Sequence, residues 1–195
     1  MGFELLGQAI CSGRNVSARR LREPGPSAQE LEALLRLAAA APDHGGLTPW
    51  RFVLVPPQRR SLLAEAFALA LLDRDVAASQ QEVEHAREKG FRAPTLLIAI
   101  VDLGSSPQAQ IPPLERVVSF GAAIQNILLG TQAMGYGAGL TSGQAMQSLR
   151  LRQLCALALQ EHTVCRVNIG TVDVHNPGRR RVHKQPAEFM SILGD

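Results

Sequence analysis

Cysteine is scarce in this 195-residue chain: Cys11, Cys155 and Cys165 form an odd set with no CxxC spacing. That excludes a disulfide framework and fits reduced thiols in the cytoplasm. Neither His162 with Cys165 nor His175 with His183 has partners at a zinc-type spacing, so no metal site is expected. Charge of one sign is also lacking. Twenty Lys and Arg against seventeen Asp and Glu leave +3, too small a surplus for a surface built mainly to grip nucleic acid. No apolar run is long enough to span a membrane: residues 117–134 are interrupted by Ser119, Gln125, Asn126, Thr131 and Gln132, short of the run of about 20 that a span requires. The start, MGFELLGQAICSGR, is too polar for a secretory h-region. With no internal repeat and no low-complexity block, residues 1–195 are expected to form a single domain, long enough to bury roughly 70% of the unfolded chain's surface.

What is present is an ordered set of element signals. Ser27-Ala28-Gln29-Glu30 has the capping-box pattern, and Leu31, Leu34, Leu35 and Ala38 follow at helical spacing until Pro42. Residues 52–55 read as a strand. Two helical stretches, 61–72 and 81–89, are expected at the periphery. Residues 95–101 are continuously apolar and branched, as in a strand covered on both faces, whereas 164–169 alternate and set Arg166 and Asn168 on one face. Between these strands, 114–134 predicts a helix of about 31 Å, apolar nearly all round and covered by sheet and other helices. Strands so scattered among helices predict an α+β domain.

Chemistry-bearing residues fall in four segments. APDHGGLTPW, residues 41–50, lies between a helix end and a strand and holds the only Trp; it is either a plain helix stop or a binding loop. GYGAGLTSG, residues 135–143, is either a glycine cap and loop or a place where backbone approaches a flat or anionic ligand. It follows a helix, so it is not a dinucleotide fingerprint, and its serine does not fit GxSxG. The tail NPGRRRVHK, residues 176–184, reads as a solvated basic tail, a nucleic-acid patch without interleaved aromatics, or a phosphate clamp. SGRNVSARR, residues 12–20, precedes the first capping box and could serve the same anion.

In their order and spacing these segments resemble the FMN-dependent nitroreductase family, in particular its short members, over nearly the whole chain. GRNVSARRLREPGPSAQELEALLRLAAAA matches its N-terminal basic motif and following helix, APDHGGLTPWRFVLV its Pro-Trp loop, and REKGFRAPTLLIAIVD, SFGAAIQNILLGTQAMGYGAG and VNIGTV the later elements. The resemblance implies an α+β sandwich with a long central helix packed on a mixed antiparallel sheet, working as an intertwined homodimer. It implies one FMN in each of two sites between the subunits. The implied activity is reduction of nitroaromatics, quinones or related small acceptors with NADH or NADPH by a ping-pong route. Carried over by position, Arg14, Asn15 and Ser17 match the phosphate and ribityl motif. His44, with Asp43 and Gly46, matches the loop that reaches the flavin from the partner subunit. Leu140, Thr141 and Ser142 match the stretch along the isoalloxazine, and Arg179 or Arg181 the C-terminal phosphate ligand. No protein nucleophile is implied, because the cofactor carries the hydride. Where close relatives often read Trp-Arg-Ser-Gly, this chain has Leu140-Thr141-Ser142-Gly143 and so lacks that cation; Gly46 and Thr48 stand where larger members often have Asn and Gln. A flavin-consuming or dehydrogenating enzyme of the same fold, and a flavin-free binding module with a basic tail, are the competing readings.

Overall fold

The computed structural model describes residues 2–104, 110–172 and 183–194. Its elements run α1 (Phe3–Cys11), β1 (Leu21–Arg22), α2 (Ala28–Ala39), β2 (Trp50–Leu54), α3 (Arg60–Leu72), α4 (Gln80–Glu88), β3 (Thr95–Asp102), α5 (Pro113–Ala133), β4 (Gly137–Thr141), α6 (Leu149–Leu154) and β5 (Glu161–Val172). The capping box forms as the sequence predicts. Glu30 N–H donates to Ser27 Oγ at 3.3 Å and Ser27 N–H donates to the Glu30 carboxylate at 2.8 Å, so α2 starts with both free donors satisfied. Ser79 and Glu82 repeat the device at the start of α4.

All strand pairings are antiparallel: β2 with β3, β3 with β5, and both β4 and β1 with β5. Alternation along β3 divides the core between the two faces of the sheet. Leu97, Ala99 and Val101 join Val167 and Ile169 of β5 against Leu34 of α2 and Phe120, Ile124 and Ile127 of α5. Leu96, Ile98 and Ile100 face the other way, onto Leu63 and Phe67 of α3 and Leu151 of α6. Burying each such Leu, Ile or Phe contributes roughly 1.5–3 kcal/mol. The α+β sandwich therefore follows from β3 being apolar on both faces from Leu96 to Val101 while α2 and α5 supply one cover and α3 the other.

Three expectations need correction. Helix α3 is not peripheral: Leu63, Ala64, Ala66, Phe67, Ala68 and Ala70 are buried, because its small side chains admit neighbours on two sides. The glycine-rich segment after α5 is not a plain loop, since residues 137–141 form β4 against β5. Arg166 and Asn168 share a face as predicted, yet both are buried. The central helix α5 is covered on one face only. Leu114, Val117 and Val118 are exposed, Val118 by 73%. Helix α1, which sequence patterning does not announce, buries none of its residues and presents Phe3, Leu5, Leu6 and Ile10. Among the described residues no helix is long and apolar enough to cross a membrane.

Candidate functional site

The N-terminal motif is drawn onto β4 by backbone. Val16 N–H donates to the Ala138 carbonyl at 2.8 Å, Asn15 bridges Ala138 in parallel, and Asn15 Oδ1 accepts from the Leu140 N–H at 2.6 Å. Glycine makes this possible. A Cβ on Gly139 would stand 2.9 Å from the Val16 carbonyl carbon and closer still to its oxygen, so any larger residue would push the two segments apart. Gln132, in the last turn of α5, donates to Ala9 O at 3.1 Å and to Ser12 Oγ at 2.6 Å, which fixes the approach of the same segment. The structure thus brings Arg14, Asn15 and Ser17, all exposed, together with Leu140, Thr141 and Ser142.

The polar side chains of β4 and its exit are turned to structural work. Thr141 Oγ1 accepts from Asn168 Nδ2 at 3.0 Å, and Ser142 Oγ donates to the Val164 carbonyl at 2.9 Å. Asn168, fully buried, also donates to Gly139 O, and its Oδ1 has no hydrogen-bond partner. What this stretch can offer a ligand is therefore backbone. Gly143, at φ 151° with nothing within 4 Å of where a Cβ would sit, leaves the exit of β4 open on one side.

His44 sits elsewhere. It opens a one-turn helix (His44–Gly46) whose glycines adopt φ 72° and 63°, and its Nδ1 lies 2.6 Å from the Glu115 carboxylate in the first turn of α5. Asp43 accepts from the Thr48 N–H, holding Thr48 at φ 48°, a conformation that costs a non-glycine residue free energy. His44 is thus held at the start of α5, whereas the junction of residues 15 and 138 lies just past its end, and about 31 Å of helix runs between the two ends. One chain brings six of the sequence-predicted residues together and keeps His44 apart from them. Arg179 and Arg181 lie outside the described residues.

The segment after β4 also borders a cavity of about 200 Å³ lined by Ser142, Gly143, Phe67, Arg74, Lys89 and Arg166, among others. Arg166 stacks its guanidinium 4.8 Å above the Phe67 ring and donates to the Lys89 carbonyl at 2.9 Å. Burial, with Arg92 and Arg60 nearby, lowers its pKa to about 10. Sequence reading notes Arg166 only as a polar face of a strand; Lys89 and Arg74 carry no local signal, because they meet Arg166 only when α3 and α4 fold over β5. Burial pushes the thiols of Cys155 and Cys165 up to about 11, which leaves them unreactive. Among the described residues no three His, Cys, Asp or Glu side chains are grouped to hold a metal.

A family model described as the nitroreductase family matches residues 16–171. The chain is 29% identical over 157 residues to an Escherichia coli K12 protein named "Putative NAD(P)H nitroreductase YdjA", covering 80% of this chain and 82% of that one. Among solved structures, the fold is similar to a nitroreductase-like family protein from Bacillus cereus, with a TM-score of 0.83 at 20% identity over 100% of this chain and 99% of that one. It is also similar to the FMN-dependent nitroreductase NfnB of Mycobacterium smegmatis, solved with NADPH, with a TM-score of 0.72 at 16% identity over 97% and 98% of the two chains.

Proposed function

The chain belongs to the nitroreductase family, and from that premise we propose that it is an FMN-dependent oxidoreductase. It takes reducing equivalents from NADH or NADPH and passes them to a nitroaromatic, quinone or similar small acceptor, the two half-reactions alternating at one site. The observation that carries this reading is the junction of the N-terminal motif with β4: Asn15 and Val16 are bonded to Ala138 and Leu140, so a phosphate-type motif and an open, backbone-lined strand exit share one edge. The fit to a flavin mononucleotide rests on that edge. Arg14 and Ser17 stand exposed beside it, and Gly143 leaves room where a side chain would intrude.

In this reading Arg14 and Ser17, with Arg179 or Arg181, hold the phosphate through charge-assisted hydrogen bonds. Asn15 fixes the spacing between that clamp and β4. The backbone of Leu140, Thr141 and Ser142 would line the ring system, and the partner's His44 would reach it from the other subunit. Bound FMN would supply the hydride carrier, and the chain's task would be to orient donor and acceptor in turn beside it.

The same geometry supports a homodimer. His44 is remote from the other site residues of its own chain, and the apolar faces of α1 and α5, with Phe189, Met190, Ile192 and Leu193 near the C-terminus, are exposed together in one subunit. The reading of residues 1–195 as one domain is supported by β3, which contributes to both core clusters. The three unpaired thiols fit a cytoplasmic protein. The test is reconstitution with FMN followed by anaerobic NADPH. Bleaching of a bound flavin spectrum, restored by a nitroaromatic or quinone with the FMN recovered intact, is expected; a protein that stays colourless rejects the reading, and loss of FMN on turnover selects the flavin-consuming alternative.

A further inference from the structure

The cavity beside Ser142 and Gly143 gathers positive charge. Among the described residues Arg74, Lys89 and Arg166 line it, and no Asp or Glu does. Arg166 is 94% buried, being 6% exposed, and its Nε has no hydrogen-bond partner; Nη2 of the neighbouring Arg92 is likewise buried without one. A buried guanidinium donor left unsatisfied is costly, and several cations sharing one recess repel. Burial, then Arg92, Arg166, Arg74 and Arg19, all lower the Lys89 pKa, so these groups feel one another's field. Such an arrangement is relieved by an anion entering the recess. The cavity, about 200 Å³, has room for a carboxylate together with part of the small molecule that carries it. Leu71 and Ala145, half-buried on its wall, suit an apolar body attached to that group.

We propose that this recess is an acceptor subsite that takes the carboxylate of an aromatic electron acceptor, with Lys89 and Arg166 as its principal cations and Arg74 at its mouth. The proposal rests on the flavin reading, because Ser142 and Gly143 belong both to the recess and to the stretch assigned to the ring system. An acceptor anchored here by its anionic end lies beside the reacting edge. The other anion the reaction brings, the 2′-phosphate of NADPH, lies a whole dinucleotide away from the reacting carbon and so is the weaker match.

The experiment uses the full FMN-loaded chain, with saturating NADH as donor and para-nitrobenzoate or its neutral isostere para-nitrobenzamide as acceptor. The quantity read is the ratio of kcat/KM for the two. It is expected to favour the benzoate in the wild type and to fall about tenfold, the loss of one charge-assisted contact, in Lys89→Gln, and about two- to fivefold in Arg74→Gln, whose charge is screened by solvent. Lys89→Arg is expected to restore most of the ratio. Arg74 is exposed, so Arg74→Gln reads the subsite without disturbing the core. An unchanged ratio in both variants overturns the proposal. So does loss of FMN from Lys89→Gln, which would assign the recess to the flavin, or a shift in NADPH-over-NADH preference in place of acceptor preference. A wild type that binds no FMN defeats the underlying flavin reading instead.

Discussion

Gly139→Ala separates the cofactor junction from the rest of the fold. Its Cβ would stand 2.9 Å from the Val16 carbonyl carbon and 3.3 Å from Asn15 Oδ1. The obstructing atom is backbone, which cannot swing aside as a side-chain end can, so residues 14–17 must withdraw from β4. Two hydrogen bonds go with them, Val16 N–H to Ala138 O and Leu140 N–H to Asn15 Oδ1, a loss of about 1–3 kcal/mol at roughly 0.5–1.5 kcal/mol each. Alanine gives back about 0.5–1 kcal/mol because it is less flexible than glycine in the unfolded chain. Stability therefore falls by at most about 2.5 kcal/mol, and the sheet core, which does not include residues 14–17, stays intact. FMN affinity suffers more. If even one charged contact from Arg14 or Ser17 to the phosphate is lost, the dissociation constant rises at least tenfold. Flavin-fluorescence titration gives the affinity and urea denaturation the stability. Gly139→Ala with native FMN affinity would refute the placement of the cofactor at this junction. Asn15→Ala, which removes one of the two bonds without a clash, is expected to give a smaller effect in the same direction.

Three further outcomes are expected. Val118→Asp puts a charge on the uncovered face of α5, where the side chain is 73% exposed in one subunit; light scattering should show a folded monomer with reduced flavin content, and an unaltered dimer would move the interface elsewhere. Glu161 accepts from Arg51 Nε at 2.6 Å, and that bond, offset in part by burial, holds its carboxyl below the usual range. Because its folded pKa is depressed, its contribution is present above the unfolded value and is lost as pH falls through the folded one, so wild type should lose more stability than Glu161→Gln between pH 5 and 3, at roughly 1 kcal/mol for this partly buried pair; parallel curves would contradict this. Gly90→Ala would set its Cβ 2.7 Å from the Ala64 backbone nitrogen, and thermal unfolding should show destabilisation of about 1–3 kcal/mol from overpacking against α3, with no change as the contrary result.

Much of the fold is legible because its signals are local. The Ser27–Glu30 box, the all-apolar run of β3 and the length of α5 each rest on neighbours a few residues apart, and each forms within one or two residues of its predicted bounds. What the sequence hides depends on distant partners. Residues 137–141 read as a glycine loop because nothing local says that β5 will pair with them or that Gly139 is small to admit Val16. Helix α3 reads as peripheral because its alanines give no strong stripe, yet those same alanines let it press into the sheet and the Gly90 turn. The apolar girth of α5 is read correctly, but half of it has no cover within one chain. The proximity of Arg14, Asn15 and Ser17 to Leu140, Thr141 and Ser142 follows only from family resemblance at the sequence level, and its physical cause is two hydrogen bonds, Asn15 to Leu140 across 125 positions of chain and Val16 to Ala138. The basic recess was wholly non-local.

The central claim is that two chains enclose FMN between them, each lending the junction of residues 14–17 with β4 and receiving His44 from the other. Light scattering combined with flavin absorbance on the FMN-reconstituted protein tests it in a single experiment. A species of twice the 21.0 kDa chain mass carrying one FMN per chain is the predicted result; a colourless species, or one chain binding FMN alone, would contradict it.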